Sequence, residues 1–428
     1  MSGRRFVLGL MFWVGLFVTL PPTIAQPSAA EKTKQRAESG DKAEALIREG
    51  KFADAIEPAA ACMRLSKEID GPKHWRTFDA EQRLKLAETG KGLGAEKQKR
   101  LVEAFAAEAK AKSLADDQPK ESLKLAQTAL EVYRELLGEE TTELARVWHL
   151  IGRIGLGNND PKGAKEATES ALKIRRKLLP ETHPDLGKSL NNLGNAQSDL
   201  SDKKDASESY QEAIRIWKVG LGESDALVAM GLNNLGNVQD DLLEYEAAKQ
   251  SFTDALAIRR KALPKDHPYI AQSLNNLGNV QYSLREYEAA KQSFTDVLAI
   301  RRRALPKDHP DVAQSLNNLG NVQRSLEEFD AAKKSHTEAL AIRRKALLES
   351  HPDIAISLYN LGLVEYELRE YEAAKKNYTE ALTIRRKVLS KDHPDIAINL
   401  NNLGLVEYEL REYEAAKTSH CEASPSSA

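Results

Sequence analysis

Asparagine is the residue whose repetition first suggests chemistry in this chain of 428 residues. The segment SLNNLGNVQ occurs at 273–281 and again at 315–323, and near copies lie at 189–197 and 231–239. Asparagine is a poor helix residue because its side chain competes for backbone hydrogen bonds. A carboxamide both donates and accepts hydrogen bonds, so a row of carboxamides can pair with a peptide backbone running in either direction.

Histidines and basic triplets recur with the same spacing, but neither predicts a reactive centre. Metal ligands lie about 2 Å from the ion, whereas packed helices lie about 8–10 Å apart, so we interpret the histidines as helix caps. His336 and His420 occupy an aromatic position and should pack there. The triplets match the helix dipole and favour solvation, with an anionic lipid or polymer as the alternative ligand. They are 175–177, 259–261, 301–303, 343–345 and 385–387.

The sequence contains no phosphate-binding glycine loop, metal-ligand cluster or nucleophile elbow. We therefore expect no enzymatic activity, no metal and no cofactor. A charged fraction of 29% and an apolar fraction of 41% are typical of a soluble, folded chain, and the net charge of −2 favours neither nucleic acid nor an acidic membrane as a partner. Cys62 and Cys421 lie near opposite ends, so we expect no disulfide.

The N-terminus has the pattern of a signal peptide over residues 1–25. Arg4 and Arg5 precede an apolar run at 6–20, and the small residues before Gln26 offer a cleavage site. The apolar run is short for a membrane span, which needs about 20 residues. We therefore expect an exported protein, periplasmic or secreted. The alternative is that this segment stays uncleaved and anchors the protein to a membrane.

A period of 42 residues dictates the fold. Leu-Gly pairs begin at 193, 235, 277, 319, 361 and 403, and a His-Pro pair keeps the same period except at Asp225. In the copy at 267–308, Pro268 predicts the start of one helix, to about 284, and a second helix follows over about 287–305, where Pro306 ends it. Such a helix pair cannot bury its apolar face alone, so neighbouring pairs must stack into an all-α solenoid.

This pattern resembles the tetratricopeptide repeat (TPR) in the 42-residue form of kinesin light chain. The resemblance is carried by LNNLG, by EYEAAKQSFTDALAIRRKAL at 244–263 and by the linking KDHP, and it covers about 141–417. It implies a TPR solenoid, a right-handed superhelix of antiparallel helix pairs. The residues before the repeats show no heptad pattern, so we adopt the repeat type and not the motor role.

The resemblance fades before residue 141. We expect a polar leader at 26–36 and a divergent, helical, TPR-like region at 37–140. Within that region 51–65 and 117–137 look like second helices of repeats, and 74–116 should contain one supernumerary helix.

The resemblance also implies where a partner binds, because the first helix of each TPR lines a concave groove that holds an extended peptide. With the core side set at Leu274 and Gly278, Asn275 and Asn279 project about 100–140° away. Towards the C-terminus the equivalent positions become more apolar, which predicts a place for a partner's hydrophobic side chains. The predicted groove residues are Asn191, Asn195, Asn233, Asn237, Asn275, Asn279, Asn317, Asn321, Gln272, Gln314, Tyr359, Tyr366 and Tyr408.

A structural role for the asparagines is the alternative. The copies are nearly identical even at surface positions, which recent duplication would produce without any groove ligand. A further asparagine of each copy lies at the edge of the groove, where it either faces a ligand or connects neighbouring repeats. These asparagines are Asn192, Asn234, Asn276, Asn318, Asn360 and Asn402.

The last copy departs from the pattern over 418–428. Where an earlier copy has Leu-Ala-Ile, this one has Ser424-Pro425-Ser426, so we interpret the tail as irregular and as truncated or frame-shifted. The sequence therefore predicts a non-enzymatic module that binds a protein or peptide. The alternatives are the regulatory or targeting part of a larger enzyme whose catalytic domain is missing, and a structural scaffold.

Overall fold

The computed structural model describes residues 27–423. The predicted signal peptide, 1–25, lies outside these residues, as do the last five residues of the predicted tail. Throughout 27–423 the secondary structure is helical, with nineteen helices and no strand, which confirms the all-α prediction. The chain divides between Gly94 and Ala95 into two compact units.

The first unit contains α1 (Ala29–Arg48), α2 (Phe52–Asp70) and α3 (Trp75–Gly92). Both α1 and α3 pack against α2. Helix α1 begins earlier than the sequence analysis expected, because Ser28 and Glu31 form a capping box. The Ser28 hydroxyl accepts a hydrogen bond from the Glu31 backbone N–H at 3.2 Å, and the Glu31 carboxylate accepts one from the Ser28 N–H at 2.7 Å. Most of the predicted polar leader is therefore helical.

The second unit is a series of helix pairs, in which each helix packs against the next one along the chain. Its first pair, α4 and α5, belongs to the divergent region. From α6 onwards the even-numbered helices are called helices A and the odd-numbered helices are called helices B. The bounds are α4 (Ala95–Leu114), α5 (Pro119–Leu137), α6 (Thr142–Gly157), α7 (Pro161–Leu178), α8 (Pro184–Asp199), α9 (Lys203–Leu221), α10 (Ala226–Asp241), α11 (Tyr245–Ala262), α12 (Pro268–Ser283), α13 (Tyr287–Ala304), α14 (Pro310–Ser325), α15 (Phe329–Ala346), α16 (Pro352–Glu367), α17 (Tyr371–Val388), α18 (Pro394–Glu409) and α19 (Tyr413–Ala423).

The recurring histidines cap helices A, as predicted. Nδ1 of His267 accepts a hydrogen bond from the Tyr269 backbone N–H at 3.2 Å, and Pro268 occupies the first helical position. Asp225, which replaces histidine in one repeat, caps α10 through its carboxylate at 2.8 Å from the Leu227 nitrogen. The same histidine cap recurs at His183, His309, His351 and His393.

From α8 onwards, each helix A meets its helix B where a glycine lies under an aromatic ring. A Cβ atom added at Gly278 would lie 2.9 Å from the Phe294 ring, so a larger residue would push the two helices apart. His336 takes the ring position in the α14/α15 repeat and is fully buried. The turn from helix A to helix B then uses a left-handed residue in every repeat, such as Arg285 at φ 60°, although left-handed backbone disfavours side chains other than glycine.

Candidate functional site: the inner face of helices A

Helices A lie closer to one another than helices B do, which identifies the inner face of the solenoid. Asparagine side chains, which are short, bridge one helix A to the next, as in the Nδ2–Oδ1 distance of 3.1 Å between Asn234 and Asn191. Successive helices B are joined instead by long side chains, such as Arg302 and Glu338 at 2.6 Å. The predicted groove residues therefore lie on helices that crowd together along one face.

The edge asparagines connect neighbouring repeats, which was one of the two roles that the sequence left open. Nδ2 of Asn318 donates to Oδ1 of Asn275 at 3.2 Å, and Nδ2 of Asn360 donates to Oδ1 of Asn317 at 2.9 Å. At the end of the series, Asn402 donates to the Tyr359 hydroxyl at 2.6 Å. These hydrogen bonds form a ladder from each helix A between α10 and α18 to the one before it, whereas Asn192 on α8 forms no such bond within the described residues.

The first groove asparagine of each upstream repeat is already bonded within the solenoid, by the ladder or, at Asn233, by an arginine. Asn191, Asn233 and Asn317 are only 4%, 2% and 5% exposed, so an occupant of the groove has little access to them. The Asn233 side chain accepts a hydrogen bond from Arg259 at 3.3 Å. Asn275 is half-buried, and its Oδ1 is the acceptor for Asn318.

The second groove asparagine is the more accessible one. Asn195 accepts a hydrogen bond from the Tyr210 hydroxyl at 2.6 Å, and Asn237 accepts one from Asn276 at 3.0 Å while remaining exposed. Asn279 is exposed and Asn321 is half-buried, and neither side chain forms a hydrogen bond within residues 27–423. These two carboxamides are therefore free to bind another molecule.

The glutamines that flank the groove are exposed but already bonded. Oε1 of Gln272 lies 3.2 Å from Nη1 of Arg259. Gln314 accepts a hydrogen bond from Arg343 at 3.0 Å and donates one to Asn318 at 2.9 Å. They support the face on which Asn279 and Asn321 lie.

A small recess opens at the upstream part of this face. It measures about 270 Å³ and lies between α8 and α10, with Tyr210 of α9 in its wall. Asn195, Asn234 and Asn237 line it together with Asp199. Its walls are more polar than apolar.

The inner face becomes apolar on α16 and α18, as the sequence predicted. Ile398, Leu405 and Tyr408 are 48%, 46% and 62% exposed. Tyr359 is more enclosed, because its ring lies 5.7 Å from that of Tyr378 and 4.6 Å from the guanidinium carbon of Arg385. Tyr366 packs against Tyr371, with ring centroids 5.7 Å apart. Tyr408 is thus the most accessible of the three predicted groove tyrosines.

The basic triplets have structural partners, so dipole matching and solvation do not explain them fully. The first arginine of each triplet reaches the next helix A. Nη1 of Arg343, which is 2% exposed, donates to the Asp353 carbonyl at 2.9 Å and to the Ser357 hydroxyl at 2.8 Å. The corresponding bonds of the other repeats involve Arg175, Arg259, Arg301 and Arg385.

The second and third residues of a triplet form ion pairs with neighbouring repeats. In the triplet at 301–303, Arg302 pairs with Glu338 of the following repeat and Arg303 with Asp266 of the preceding one, both at 2.6 Å. The basic ridge is therefore largely neutralised by the solenoid itself. This arrangement therefore leaves little free positive charge to bind an anionic lipid or polymer.

Sequence reasoning missed the buried arginines, although one signal for them exists. A serine lies fourteen residues after the first arginine in four repeats, as with Arg343 and Ser357. Where tryptophan replaces the arginine, at Trp217, glycine replaces the serine, at Gly231. A Cβ atom at Gly231 would lie 3.0 Å from the Trp217 ring, so the two positions change together because they touch.

Two kinds of feature are not found in residues 27–423. No helix there combines the length and apolarity that crossing a bilayer requires. No group of three or more histidine, cysteine, aspartate or glutamate side chains in this range is placed to hold a metal ion.

Models of the tetratricopeptide repeat family match residues 186–226, 227–303, 269–345 and 353–426. Together these matches make up more than half of the chain. The chain therefore belongs to the tetratricopeptide repeat family, as the sequence predicted. This is the architecture of a protein-interaction module. No curated protein matches the sequence.

Solved structures with the same fold include the apo form of RapI, which is 18% identical with a TM-score of 0.51 and covers 67% of this chain and 98% of its own. BtubC (BKLC) from P. vanneervenii is 22% identical with a TM-score of 0.43, and covers 59% of this chain and 92% of its own. A putative kinesin light chain with nearly identical TPR-like repeats from Podosopora anserina is 21% identical, with a TM-score of 0.44, and covers 48% and 98%.

Proposed function

We propose that the second unit binds an extended segment of a partner protein along the inner face of helices A, and that the protein does so without catalysing a reaction. The observation that carries this proposal is the pair of unoccupied carboxamides at Asn279 and Asn321. Most of the other amides on the face form hydrogen bonds to a neighbouring repeat, whereas these two form none within the described residues.

Free carboxamides suit a peptide backbone better than they suit a particular side chain. Each donates and accepts, so it can pair with the N–H and the C=O of an extended chain. One such bond contributes about 0.5–1.5 kcal/mol. A few of them, added to contacts with the apolar end of the face, support an affinity of about micromolar order with little sequence selectivity.

Export is part of the same proposal. It rests on the sequence of residues 1–25, where a basic start, an apolar run and small residues follow one another. The partner should then be periplasmic, secreted or on a cell surface, and contact with a membrane would arise only if the N-terminal segment stayed uncleaved.

A structural scaffold is the second candidate, and the asparagine ladder favours it. Every hydrogen bond that Asn234, Asn318 and Asn360 donate to the preceding helix A stabilises the stack of repeats. If all the asparagines serve this purpose, the repeats need no ligand on their inner face.

The test compares two sets of asparagine variants in residues 27–428. Changing Asn279 and Asn321 together to alanine should leave the circular dichroism and the urea midpoint unchanged or slightly raised, since alanine is the better helix former. Changing Asn318 to alanine breaks the bond to Asn275 and should lower the free energy of unfolding by about 1 kcal/mol.

Pull-down from native extract with mass spectrometry then separates the two functions. A partner that the parent and the Asn318→Ala variant retain, but that Asn279→Ala with Asn321→Ala loses, supports groove binding. Equal recovery by the parent and by the folded double variant would contradict groove binding and favour the scaffold.

A further inference from the structure

The downstream end of the inner face combines an apolar floor with carboxylates. Ile356, Ile398 and Leu405 are 39%, 48% and 46% exposed on α16 and α18, although isoleucine and leucine are usually buried. Glu367 and Glu409 are the last residues of these two helices, are exposed, and form no ion pair or side-chain hydrogen bond within the described part of the chain. An occupant that covers the floor therefore meets two unneutralised negative charges.

The charges of Glu367 and Glu409 both affect the phenol of Tyr366. The pKa of the Tyr366 phenol is raised by burial first and then by the negative charges of Glu409 and Glu367. Glu367 follows Tyr366 in the chain, whereas Glu409 belongs to the next helix A. Charges from two neighbouring repeats thus converge on one tyrosine at the edge of the apolar floor.

Two of the lysines near this end are neutralised, because Lys333 and Lys375 pair with Glu370 and Glu412. Arg369 and Arg411 are exposed and form no ion pair within the described residues, but they lie in the left-handed turns beyond the ends of α16 and α18. One arginine on the face itself, Arg324, lies upstream on α14, where its charge acts on Tyr359 and Tyr378.

Two of the four repeats upstream, those of α8 and α10, show the same sign of charge at the equivalent positions. The six helices A from α8 to α18 together have twelve residues at the two positions equivalent to Tyr366 and Glu367. Five of the twelve are acidic and one, Arg324, is basic. The acidic residues are Asp199, Asp240, Asp241, Glu367 and Glu409. A carboxylate-rich peptide, or the anionic surface of a membrane, would therefore be repelled at the two ends of this face, on α8 and α10 and on α16 and α18.

Resting on the proposed function, we propose that the occupant of the downstream face is an extended peptide segment that carries aliphatic side chains next to lysine or arginine. The aliphatic side chains cover Ile356, Ile398 and Leu405, and the cations lie against Glu367 and Glu409. Neighbouring helices lie about 8–10 Å apart, and an extended chain advances about 3.3 Å per residue, so one repeat corresponds to about three residues of the occupant.

Three labelled synthetic peptides test this assignment by fluorescence anisotropy on residues 27–428. Each has twelve residues, amidated at the C-terminus, in a glycine–serine background. The first carries two leucines, three residues apart, each followed by a lysine. The second has glutamate in place of lysine, and the third has serine in place of leucine. We expect the leucine–lysine peptide to bind most tightly and the leucine–glutamate peptide to bind most weakly.

Matched variants locate the binding. Glu367→Gln with Glu409→Gln should weaken the leucine–lysine peptide about fivefold, since each exposed ion pair contributes modestly, and should not weaken the leucine–glutamate peptide, which has no cation to lose. The control is Glu372→Gln with Glu414→Gln, which removes two exposed carboxylates from the first turns of helices B in the same repeats. Ile356→Ser with Ile398→Ser should abolish the preference for leucine over serine.

The outcomes separate this inference from the proposed function. If the leucine–glutamate peptide binds as tightly as the leucine–lysine peptide, or if the two glutamine pairs behave alike, the charge assignment is wrong. The groove would still stand if Asn279→Ala with Asn321→Ala weakened all three peptides. If neither the amide variant nor the carboxylate and isoleucine variants changed the affinity of any peptide, the inference and the proposed function would both be wrong.

Discussion

The repeats from α8 to α15 and the two from α16 to α19 share one backbone but present different inner faces. The upstream repeats carry asparagine at the two groove positions, such as Asn275 and Asn279, whereas the downstream repeats carry Tyr359 with Leu363 and Asn401 with Leu405. The histidine cap, the left-handed turn and the glycine under a ring recur in both groups. The difference is therefore confined to side chains that the fold does not require.

The bond between helix A and helix B changes at the same boundary. Upstream, a serine hydroxyl donates to a glutamine, as between Ser293 and Gln281 at 2.7 Å. Downstream, Asn377 donates to Glu365 at 2.6 Å and Ser419 donates to Glu407 at 2.7 Å. Glu365 is buried, and burial raises its pKa. Carboxylates thus replace amides beneath the inner face, whereas tyrosine and leucine replace asparagine on it, so the downstream repeats present a different surface.

The contact from one repeat to the next offers the strongest test of this comparison. Arg343, at the boundary, donates to the Asp353 carbonyl and the Ser357 hydroxyl and reaches back to Gln314 at 3.0 Å. Arg343→Ala should therefore lower the free energy of unfolding by about 3 kcal/mol, because it removes a buried, charged donor and leaves its acceptors unpaired.

The matched change downstream is Arg385→Ala. Arg385 donates to the Asp395 carbonyl at 2.9 Å and lies over the Tyr359 ring, so fewer hydrogen bonds are lost and we expect a cost of about 2 kcal/mol. Urea denaturation followed by circular dichroism measures both. A larger loss for Arg385→Ala would mean that the downstream junction is the more tightly held one.

The sequence predicted the bounds of the paired helices to within about one residue, because residues that start and end helices recur with the 42-residue period. His267, Pro268 and Pro306 mark the ends of α12 and α13, and rotation along the helix placed Leu274 and Gly278 in the core correctly. The start of α1 was not predicted, because two side chains at Ser28 and Glu31 outweigh a polar composition.

The division of labour among the asparagines could not be predicted from one repeat. Asn275, Asn276 and Asn279 have the same chemistry, and rotation alone gives only the direction of each side chain. Which of them is occupied depends on how far the preceding helix A lies from it, and that distance is set by the stacking of two repeats. Asn276 reaches Asn237 at 3.0 Å, whereas Asn279 has no such neighbour in the described part of the chain.

The α14/α15 repeat, which adjoins the boundary, should respond to pH in a way that its neighbours do not. His336 is fully buried, and neither ring nitrogen has a hydrogen-bond partner within the described residues. Burial, followed by the charges of Arg324 and Arg343, lowers its pKa to about 4. Because an unfolded histidine has a pKa of about 6.5, the unfolded chain binds the proton more readily. Stability should therefore be full above about pH 6.5 and fall as the pH drops towards 4.

His336→Phe provides the comparison, because Phe252 and Phe294 fill the same position upstream. The variant should be more stable than the parent by about 2 kcal/mol at pH 5, and this part of the difference should vanish near pH 7.5. The measurement is the urea midpoint at both pH values. A gain of equal size at both would show that packing, and not protonation, separates histidine from phenylalanine here.

The smallest expected effect concerns the last junction, where one side chain breaks the pattern. Asn399 takes the place of Ser357, which accepts the hydrogen bond from the buried arginine of the preceding repeat. Asn399 is fully buried, and neither its Oδ1 nor its Nδ2 has a partner within residues 27–423. Unpaired polar groups in the interior cost free energy.

Asn399→Ser should therefore stabilise the chain by about 1 kcal/mol, because it removes two unpaired groups and restores an acceptor for Arg385. The reciprocal change, Ser357→Asn, should destabilise the upstream junction by a similar amount. Urea midpoints of the two variants and the parent are the measurement. Stabilisation by Asn399→Ser that survives in an Arg385→Ala background would mean that removal of the unpaired amide, and not the restored bond, accounts for the gain. The downstream junction would then differ from the upstream ones by its unpaired amide alone.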